Sequence, residues 1–289
     1  MTIEQRIEVA LSEAVARTSC PGAPPTLSRA ISYAVFPGGA RIRPRLCLAV
    51  AEACGGTSRK VSVGAGAAIE LMHCASLVHD DLPCFDDAAM RRGKPSVHRA
   101  FGEPIAVLAG DAMIVLAFET LCEAVADTPR AAPTLLRILS DSVSAARGII
   151  GGQAWESEPV VDVAAYQRAK TGSLFVAAVR AGAVAADNDP TAWRALGEKL
   201  GEAYQVADDL HDAFSKPEDV GKPVGQDGLH GRPNVIAEHG VTGGVGYLKQ
   251  LIREAVDSVP HCAGQADLRT MIEAETRRFI PRQLAARAA

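Results

Sequence analysis

The sequence predicts an all-α protein, a single large bundle of helices, and three observations support this fold class. Apolar residues recur with helical spacing over most of the 289 residues, whereas the alternation typical of strands is nearly absent. Hydrophobic residues make up 48% of the chain and aromatic residues only 4%, so most apolar side chains are small or aliphatic and suit closely packed helices. Several segments are apolar on nearly every face, which predicts helices at the centre of a large bundle.

The predicted helices follow one another with short breaks between them. Residues 1–18 form an amphipathic stretch with acidic side chains, which predicts a first helix rather than a signal peptide. Further helices are predicted near residues 40–54, 62–82, 104–126, 132–148, 171–187, 191–214, 234–257 and 266–285. The breaks are rich in Gly and Pro, and the longest covers residues 215–233. Because no break has the composition of a flexible interdomain linker, we expect one domain over residues 1–289.

The overall charge and the cysteines narrow the classes of function. A formal net charge of −4 gives no reason to expect nucleic acid or anionic lipid as a partner. Seven scattered cysteines without a C-x-x-C pair favour the reduced thiols of a cytoplasmic protein over a disulfide framework or a structural zinc site. No run of about 18 uncharged apolar residues occurs, so we expect no segment to span a membrane.

The first of two aspartate clusters follows an apolar segment. It lies in SLVHDDLPCFDDAAMRRG, residues 76–93, and contains Asp80, Asp81, Asp86 and Asp87. Pro83 interrupts the cluster, and because proline disturbs the preceding turn, the cluster is predicted at a helix end where its side chains can converge. Asp80 and Asp87 would share a helical face if the helix resumed.

The second cluster lies in EAYQVADDLHDAF, residues 202–214, and contains Asp208, Asp209 and Asp212. In a helix, Asp208 and Asp212 share a face, whereas Asp209 lies roughly 100° around. One acidic pair is most often a solvated helix end, but two clusters that each follow an apolar segment favour a binding site. Carboxylates without thiolate or closely spaced histidine ligands suit hard cations, and Mg²⁺ is preferred when phosphates share the coordination. The sequence therefore predicts a Mg²⁺ site that binds a diphosphate, and it lacks the pattern of an EF-hand calcium loop.

Basic residues stand beside the first cluster and at helix ends rich in Gly and Pro. They are Arg41, Arg43 and Arg45 in PGGARIRPR, Arg91 and Arg92 after the first cluster, Lys170 in KTGSLF and Lys222 in GKPVGQD. Taken singly, each would more often be a surface residue; together they are candidate phosphate ligands, because guanidinium groups bind phosphate oxygens in pairs and lysine adds a point charge. His73 lies on about the same helical face as Asp80 and is a candidate diphosphate contact, although a lone histidine there is more often a core residue.

In this order, the motifs resemble those of the trans-isoprenyl diphosphate synthases, or polyprenyl synthetases, over essentially the whole chain. The resemblance rests on GGARIRP, HCASLVHDDLPCFDDAAMRRGKPSVH, GGQ, KTGSLF, YQVADDLHD and GKPVGQD. It implies an all-α bundle around a deep central cavity, usually a homodimer, that condenses isopentenyl diphosphate with an allylic diphosphate. The implied reaction is Mg²⁺-assisted ionisation to an allylic carbocation, followed by head-to-tail attack and loss of a proton.

The resemblance also implies a role for each matching residue. The expected ligands of two or three Mg²⁺ ions are Asp80, Asp81 and Asp86 in the first motif and Asp208, Asp209 and Asp212 in the second. Residues that match the allylic diphosphate site are Arg91, Lys170 and Lys222, with Gln205 nearby and Thr171 as a further substrate-binding candidate. Residues that match the isopentenyl diphosphate site are Arg43, His73 and Arg92. The expected catalytic residues are Asp80, Asp81, Asp86, Asp208, Asp209 and Lys170.

Three positions depart from the family pattern. Ala40 stands where lysine is common, which removes one isopentenyl diphosphate contact unless Arg41 or Arg45 compensates. Glu156 stands where an aspartate often follows the GGQ motif, and HGRPN at residues 230–234 replaces a version that contains lysine.

Two small residues just before the first cluster bear on product length. Bacterial farnesyl synthases usually carry an aromatic residue near Ala75, so the small side chains of Ala75 and Ser76 leave room for a further five-carbon unit. The chain therefore most resembles a geranylgeranyl diphosphate synthase of the carotenoid pathway, with farnesyl diphosphate as the allylic substrate and dimethylallyl or geranyl diphosphate as alternatives. Leu71, Met72 and residues 114–118 are candidates for the floor of the cavity.

Three alternatives stay open. The chain could be a farnesyl diphosphate synthase, which differs only in product length. A class I terpene cyclase shares the metal chemistry but normally has a different second metal motif, and Asp212, Arg43 and Arg92 argue against it. A non-catalytic subunit of a heteromeric synthase would have lost metal ligands, whereas both clusters are intact here.

Overall fold

The structure, a computed structural model, describes residues 1–36, 39–56, 58–214 and 235–279. Its helices and strands, in chain order, are α1 (Ile3–Ala16), α2 (Pro25–Val35), α3 (Ile42–Ala53), α4 (Arg59–Asp80), β1 (Met90–Arg91), β2 (Lys94–Pro95), α5 (Val97–Phe101), α6 (Glu103–Ala124), α7 (Ala132–Val143), α8 (Ile149–Ala154), α9 (Val163–Gln167), α10 (Ser173–Ala185), α11 (Arg194–Phe214), α12 (Val235–Asp257) and α13 (Gln265–Thr276). Short 3₁₀ turns cover Arg17–Ser19, Trp155–Ser157 and Arg277–Phe279, and a π-helical turn covers Arg168–Gly172. The predicted all-α fold class is confirmed, with one antiparallel hairpin, β1–β2, among the described residues.

Helix α4 lies in the centre of the bundle, where it packs against α3, α6 and α10. Small residues permit this packing, because a Cβ atom placed on Gly64 of α4 would lie only 2.2 Å from the Cβ of Ala124 on α6. Similarly, a Cβ on Gly182 of α10 would lie 2.3 Å from the carbonyl oxygen of Cys47 on α3. The low aromatic content of the sequence thus corresponds to helices whose backbones approach one another closely.

Buried apolar side chains from α1 through α13 form one contiguous cluster, which includes Ile7, Leu71, Phe175 and Ile272. A smaller cluster lies between α11 and α12, around Leu210 and Leu248. At the start of the bundle, Thr2 caps α1 in a reciprocal capping box with Gln5.

Two helices, α4 and α6, are long and apolar enough to cross a membrane when length and composition alone are considered. The most apolar window of α4 is 78% buried inside the bundle, as expected for a core helix. The corresponding window of α6 is 44% buried, and its outer face exposes Val107, Leu108 and Val115. Helix α6 therefore carries an apolar surface that the rest of the described chain does not cover.

Candidate active site

A cavity of about 350 Å³ opens where α3, α4, the β1–β2 hairpin and α8 to α11 meet. Its polar lining residues are Arg43, His73, Ser76, Asp80, Asp86, Arg91, Arg92, Gln153, Tyr166, Lys170, Thr171, Tyr204, Gln205, Asp208 and Asp212. Its apolar lining residues are Leu77, Ala88, Ile149 and Leu174. The predicted cavity is present, and both aspartate clusters contribute side chains to it.

The first aspartate cluster is shaped by a loop that folds back on the end of α4. Helix α4 ends at Asp80, and the backbone N–H of Asp86 donates to the carbonyl oxygen of Asp80 at 3.0 Å. Asp86 therefore lies beside Asp80 although the helix does not resume, contrary to the arrangement in which Asp80 and Asp87 would share a helical face. Asp87 instead has a positive φ of 44° and accepts a hydrogen bond from Arg99 at 3.0 Å, outside the cavity.

Glu156, in the 3₁₀ turn after α8, joins Asp80 and Asp86. One carboxylate oxygen from each of these three residues lies within 4.8 Å of the other two. The Lys170 ammonium donates to Asp80 at 3.2 Å and to Glu156 at 2.5 Å, and it thereby offsets part of the negative charge. Tyr166 also donates to Glu156, at 2.7 Å. An all-oxygen group of this size fits a hard divalent cation.

The second cluster divides between the cavity and the core. Asp208 and Asp212 on α11 line the cavity. Asp209 is buried, and its two oxygens accept from Gln205 Nε2 at 3.0 Å and from the backbone N–H of Val235 at 2.9 Å. The amide oxygen of Gln205 accepts a hydrogen bond from the Thr171 hydroxyl at 2.6 Å. Asp209 therefore fixes α11 to the start of α12, and the structure does not bring it to the cavity.

Asp81 occupies the equivalent position in the first cluster, behind the cavity wall. It is buried and accepts from Arg91 Nε at 2.9 Å, in addition to a shorter contact with Arg91 Nη2. Burial raises the pKa of Asp81, although Arg91 opposes this effect. Burial acts to lower the pKa of Arg91, but the hydrogen bond and charge of Asp81 outweigh it and raise that pKa. The pair holds the Arg91 guanidinium at the cavity, charged and oriented.

A second group of cations lies around His73. The Arg43 guanidinium is buried 4.7 Å from the ring centre of Phe175 and 5.5 Å from that of Tyr204. Burial, followed by the charges of Arg43, Arg92 and Arg91, lowers the pKa of His73 well below its ordinary value, so the imidazole is neutral. This part of the cavity is therefore positively charged through its arginines.

The two arginines that could replace the missing lysine at position 40 are engaged elsewhere. Arg41 donates hydrogen bonds to Glu70 and to Glu8, both at 2.8 Å. In the pair with Glu70, both side chains are buried. Arg45 donates to Glu275 through two nitrogens, at 2.7 and 2.9 Å. Neither arginine is among the described residues that line the cavity.

The structure brings together most of the residues predicted for the site. The predicted residues on the cavity wall are Arg43, His73, Ser76, Asp80, Asp86, Arg91, Arg92, Lys170, Thr171, Gln205, Asp208 and Asp212. Asp81, Asp209 and Ala75 lie behind that wall, as do the floor candidates Leu71 and Met72. Lys222 and residues 230–234 lie outside the described residues. No role was predicted from the sequence for Gln153, Glu156 and Tyr166, although Gln153 ends the GGQ motif and Glu156 lies three residues after it.

Comparison with known proteins assigns the chain to a family. The model of the family described as Polyprenyl synthetase matches residues 24–271. The chain belongs to the polyprenyl synthetase family. The family predicted from the ordered motifs is thus confirmed.

Two curated relatives of this polyprenyl synthetase are geranylgeranyl diphosphate synthases. The one from Cereibacter sphaeroides is 51% identical over 287 residues, which span 99% of this chain and 100% of the relative. The one from Rhodobacter capsulatus is 48% identical over 273 residues, 94% of each chain. A solved structure of a geranyltransferase from Helicobacter pylori, complexed with magnesium and isoprenyl diphosphate, is 26% identical, with a TM-score of 0.77 over 96% of this chain and 98% of that one.

Proposed function

We propose that this polyprenyl synthetase condenses isopentenyl diphosphate with farnesyl diphosphate, head to tail, to give geranylgeranyl diphosphate. The observation that carries the proposal is one cavity with carboxylates from two separate clusters and two separate groups of cations. The two curated relatives at 51% and 48% identity are geranylgeranyl diphosphate synthases, which supports the same product here.

Magnesium is the cofactor we propose. Asp80 and Asp86 on one wall and Asp208 and Asp212 on α11 would hold it, because their oxygen donors suit Mg²⁺ and the group of Asp80, Asp86 and Glu156 is compact enough to share an ion. The magnesium in the Helicobacter pylori structure supports this choice, and two or three ions remain our expectation. When bound, Mg²⁺ stabilises the negative charge that develops on a departing diphosphate. Asp81 and Asp209, which we also predicted as ligands, contribute in this proposal by fixing Arg91 and α11.

The allylic diphosphate would be held by the cations next to these carboxylates. Arg91 is oriented by Asp81, and Lys170 lies within reach of the same space, 3.2 Å from Asp80. Both groups stabilise charge on the diphosphate oxygens as the carbon–oxygen bond breaks. Thr171 and Gln205 supply further polar contacts at this wall, and Lys222 stays part of the proposal by resemblance.

The isopentenyl diphosphate would lie at Arg43, Arg92 and His73. A neutral imidazole can donate one N–H to a phosphate oxygen, and the two arginines supply the charge. Leu77, Ile149 and Leu174 line the same cavity, and their apolar surfaces would exclude water from the allylic carbocation. After the new carbon–carbon bond forms, the proton that is lost would pass to the released diphosphate.

The remaining features of the proposal concern product length and context. Ser76 lines the cavity directly, and Ala75 is buried behind it, so both small side chains support the longer product.

The exposed apolar face of α6 supports a homodimer, because Leu108 is 51% exposed and Val115 is 57% exposed. The contiguous apolar cluster supports a single domain. Free cysteines in the described residues support a cytoplasmic location, and the organisms of the relatives support a role in carotenoid synthesis.

The decisive experiment is incubation of the purified protein with Mg²⁺, isopentenyl diphosphate and farnesyl diphosphate, followed by product chromatography. We expect a twenty-carbon diphosphate. The absence of any elongation would overturn the synthase proposal and favour a non-catalytic subunit. A fifteen-carbon product that is not extended further, with dimethylallyl diphosphate as the primer, would instead favour a farnesyl diphosphate synthase.

A further inference from the structure

The β1–β2 hairpin sends its two arginines in different directions. Arg92 and Gly93 form its turn, and both have positive φ angles, 53° and 75°. The Arg91 side chain reaches Asp81 in the first aspartate cluster. The Arg92 guanidinium packs instead on Gly39, where a Cβ atom would lie only 2.9 Å from Arg92 Nη2. In the part of the chain that the structure describes, no hydrogen bond or ion pair holds the Arg92 side chain, so its position depends on the hairpin and on Gly39.

Lys94 connects the hairpin to the segment that leads to Gly39. Its ammonium donates to the carbonyl oxygen of Phe36 at 2.7 Å and, over a shorter distance, to that of Tyr33. It also lies 3.8 Å from the ring centre of Tyr33, whose hydroxyl donates to the carbonyl oxygen of Pro95 at 2.8 Å. The carbonyls of Tyr33 and Phe36 belong to the C-terminal end of α2, where unpaired carbonyl groups attract a cation. Lys94 therefore ties the hairpin strand that follows Arg92 to the end of α2, and Phe36 precedes Gly39 by three positions.

The position of Arg92 matters more in this chain because position 40 is alanine. Arg41 and Arg45 are held by buried or partly buried glutamates and do not line the cavity. The positive charge of the His73 side of the cavity therefore comes from Arg43 and Arg92. Arg43 is fixed by its own stacking on Phe175, whereas Arg92 has no such support among the described residues.

We propose that Lys94 is a positioning residue for Arg92 and, through it, for the isopentenyl diphosphate subsite. Lys94 acts through Arg92 and the end of α2 and need not contact the substrate. Arg91 is the backbone partner of Lys94 in the hairpin, but its side chain is anchored separately by Asp81, so the orientation of its guanidinium does not depend on the Lys94 ammonium. This inference rests on the proposed function for the identity of the two substrates.

The test is Lys94→Gln, with KM measured separately for isopentenyl diphosphate and for farnesyl diphosphate. We expect KM for isopentenyl diphosphate to rise about tenfold, because charge-assisted hydrogen bonds to two carbonyls are lost, and KM for farnesyl diphosphate to stay within about twofold. Lys94→Arg should recover most of the loss, since a guanidinium can donate to both carbonyls. Lys60→Gln is the matched control, because Lys60 is an exposed lysine paired with Asp127.

Each outcome decides the inference. Unchanged KM values in Lys94→Gln would overturn it, and so would an equal rise for both substrates together with a lower melting temperature, which would indicate a merely structural role. If Lys94→Gln does not fold, Tyr33→Phe, which removes only the hydroxyl contact with Pro95, should shift the same KM by a smaller factor, and no shift would overturn the inference. Calorimetric binding of isopentenyl diphosphate gives the same comparison without turnover, so failure of the wild-type protein to elongate would count against the proposed function alone.

Discussion

The backbone N–H of Asp86 is hydrogen-bonded to the carbonyl oxygen of Asp80, at 3.0 Å, so the chain returns to the end of α4 after passing through Pro83. A second backbone bond, from Ala88 N–H to the carbonyl of Asp81 at 3.2 Å, closes the same loop. The two carboxylates are therefore brought together by main-chain geometry rather than by helical spacing. These backbone bonds thus fix the relative position of the two residues within the loop.

Asp80→Asn and Asp208→Asn should each lower kcat by a factor of about 10²–10³, because each removes a charged donor from the proposed metal site. Circular dichroism and melting temperature should stay near wild-type values. The matched control is Asp87→Asn, since Asp87 belongs to the same cluster but bonds to Arg99 outside the cavity. Equal losses in Asp87→Asn and Asp80→Asn would contradict the assignment. Direct binding of Mn²⁺, followed by electron paramagnetic resonance, measures the same loss without turnover.

Gly152→Ala should reduce activity strongly, because α8 and the π-helical turn touch at this position. A Cβ atom on Gly152 would lie 2.4 Å from the backbone nitrogen of Lys170, so the turn that carries Lys170 must move. Steady-state kinetics should show a higher KM for farnesyl diphosphate. Gly246→Ala is the control, because nothing lies within 4 Å of a Cβ atom there, and it should leave activity unchanged. Wild-type kinetics in Gly152→Ala would show that Lys170 is not held by this contact.

Ser76→Phe should shorten the product from twenty to fifteen carbons, because Ser76 lines the cavity and a phenyl group would fill space needed by the growing chain. Ala75→Phe should shift the product in the same direction. Since Ala75 is only 1% exposed, its enlargement should also lower the free energy of unfolding by about 1–3 kcal/mol. Product chromatography and urea denaturation measure the two effects. An unchanged twenty-carbon product from both variants would remove these residues from the account of chain length.

Glu70→Ala should destabilise the fold by about 3–5 kcal/mol, because it leaves the buried Arg41 guanidinium without its buried partner. The exposed pair of Lys60 and Asp127 provides the comparison, and Asp127→Ala should destabilise the protein far less, because solvent screens an exposed ion pair. Chemical denaturation of the three proteins gives both differences. Similar values for the two variants would mean that the buried pair contributes no more than a surface one.

Stability should fall in mildly acidic solution because of His73. Burial and neighbouring arginines lower the pKa of its imidazole below 6.5, so below about pH 6.5 the unfolded chain binds a proton that the folded protein does not. The free energy of unfolding should therefore decrease by up to about 1.4 kcal/mol per pH unit, from about pH 6.5 down to the lowered pKa. Above pH 6.5 this contribution is fully present. Urea denaturation of His73→Gln should show a flatter pH dependence in that window than the wild-type protein.

Much of the fold followed from periodicity, and the exceptions are short elements. Long apolar segments predicted α3, α4, α6, α10, α11 and α12 closely, because tertiary packing and helical spacing agree there. Helix α2 received no prediction, and the IIGGQ segment was interpreted as a break although α8 forms from it. Glycines weaken a helix prediction, but Gly152 is required for contact with Lys170. The predicted helix at 132–148 ends at Val143, where the chain becomes extended at Ser144.

The residue types of the site were predicted more accurately than the directions in which their side chains point. Both clusters were expected to bind metal as sets, yet Asp81 and Asp209 turn away from the cavity. Neighbouring helical residues point roughly 100° apart, and which of them faces inward depends on partners such as Arg91 and Val235 that are distant in sequence. Glu156 was noted only as a departure from a pattern, and its position beside Asp80 becomes apparent only when α8 packs on the π-helical turn.

The ammonium of Lys170, which lies between Asp80 and Glu156, acts as an internal counter-ion for these carboxylates. Crowded carboxylates repel one another, and a pocket that depended on a dissociable ion to offset that repulsion would change shape each time the ion left. Here the positive charge that offsets the repulsion is the ammonium of Lys170, which is covalently part of the chain. Because this ammonium offsets their repulsion, the carboxylates stay close together, and a divalent cation that bound among them would take over a charge of the same sign.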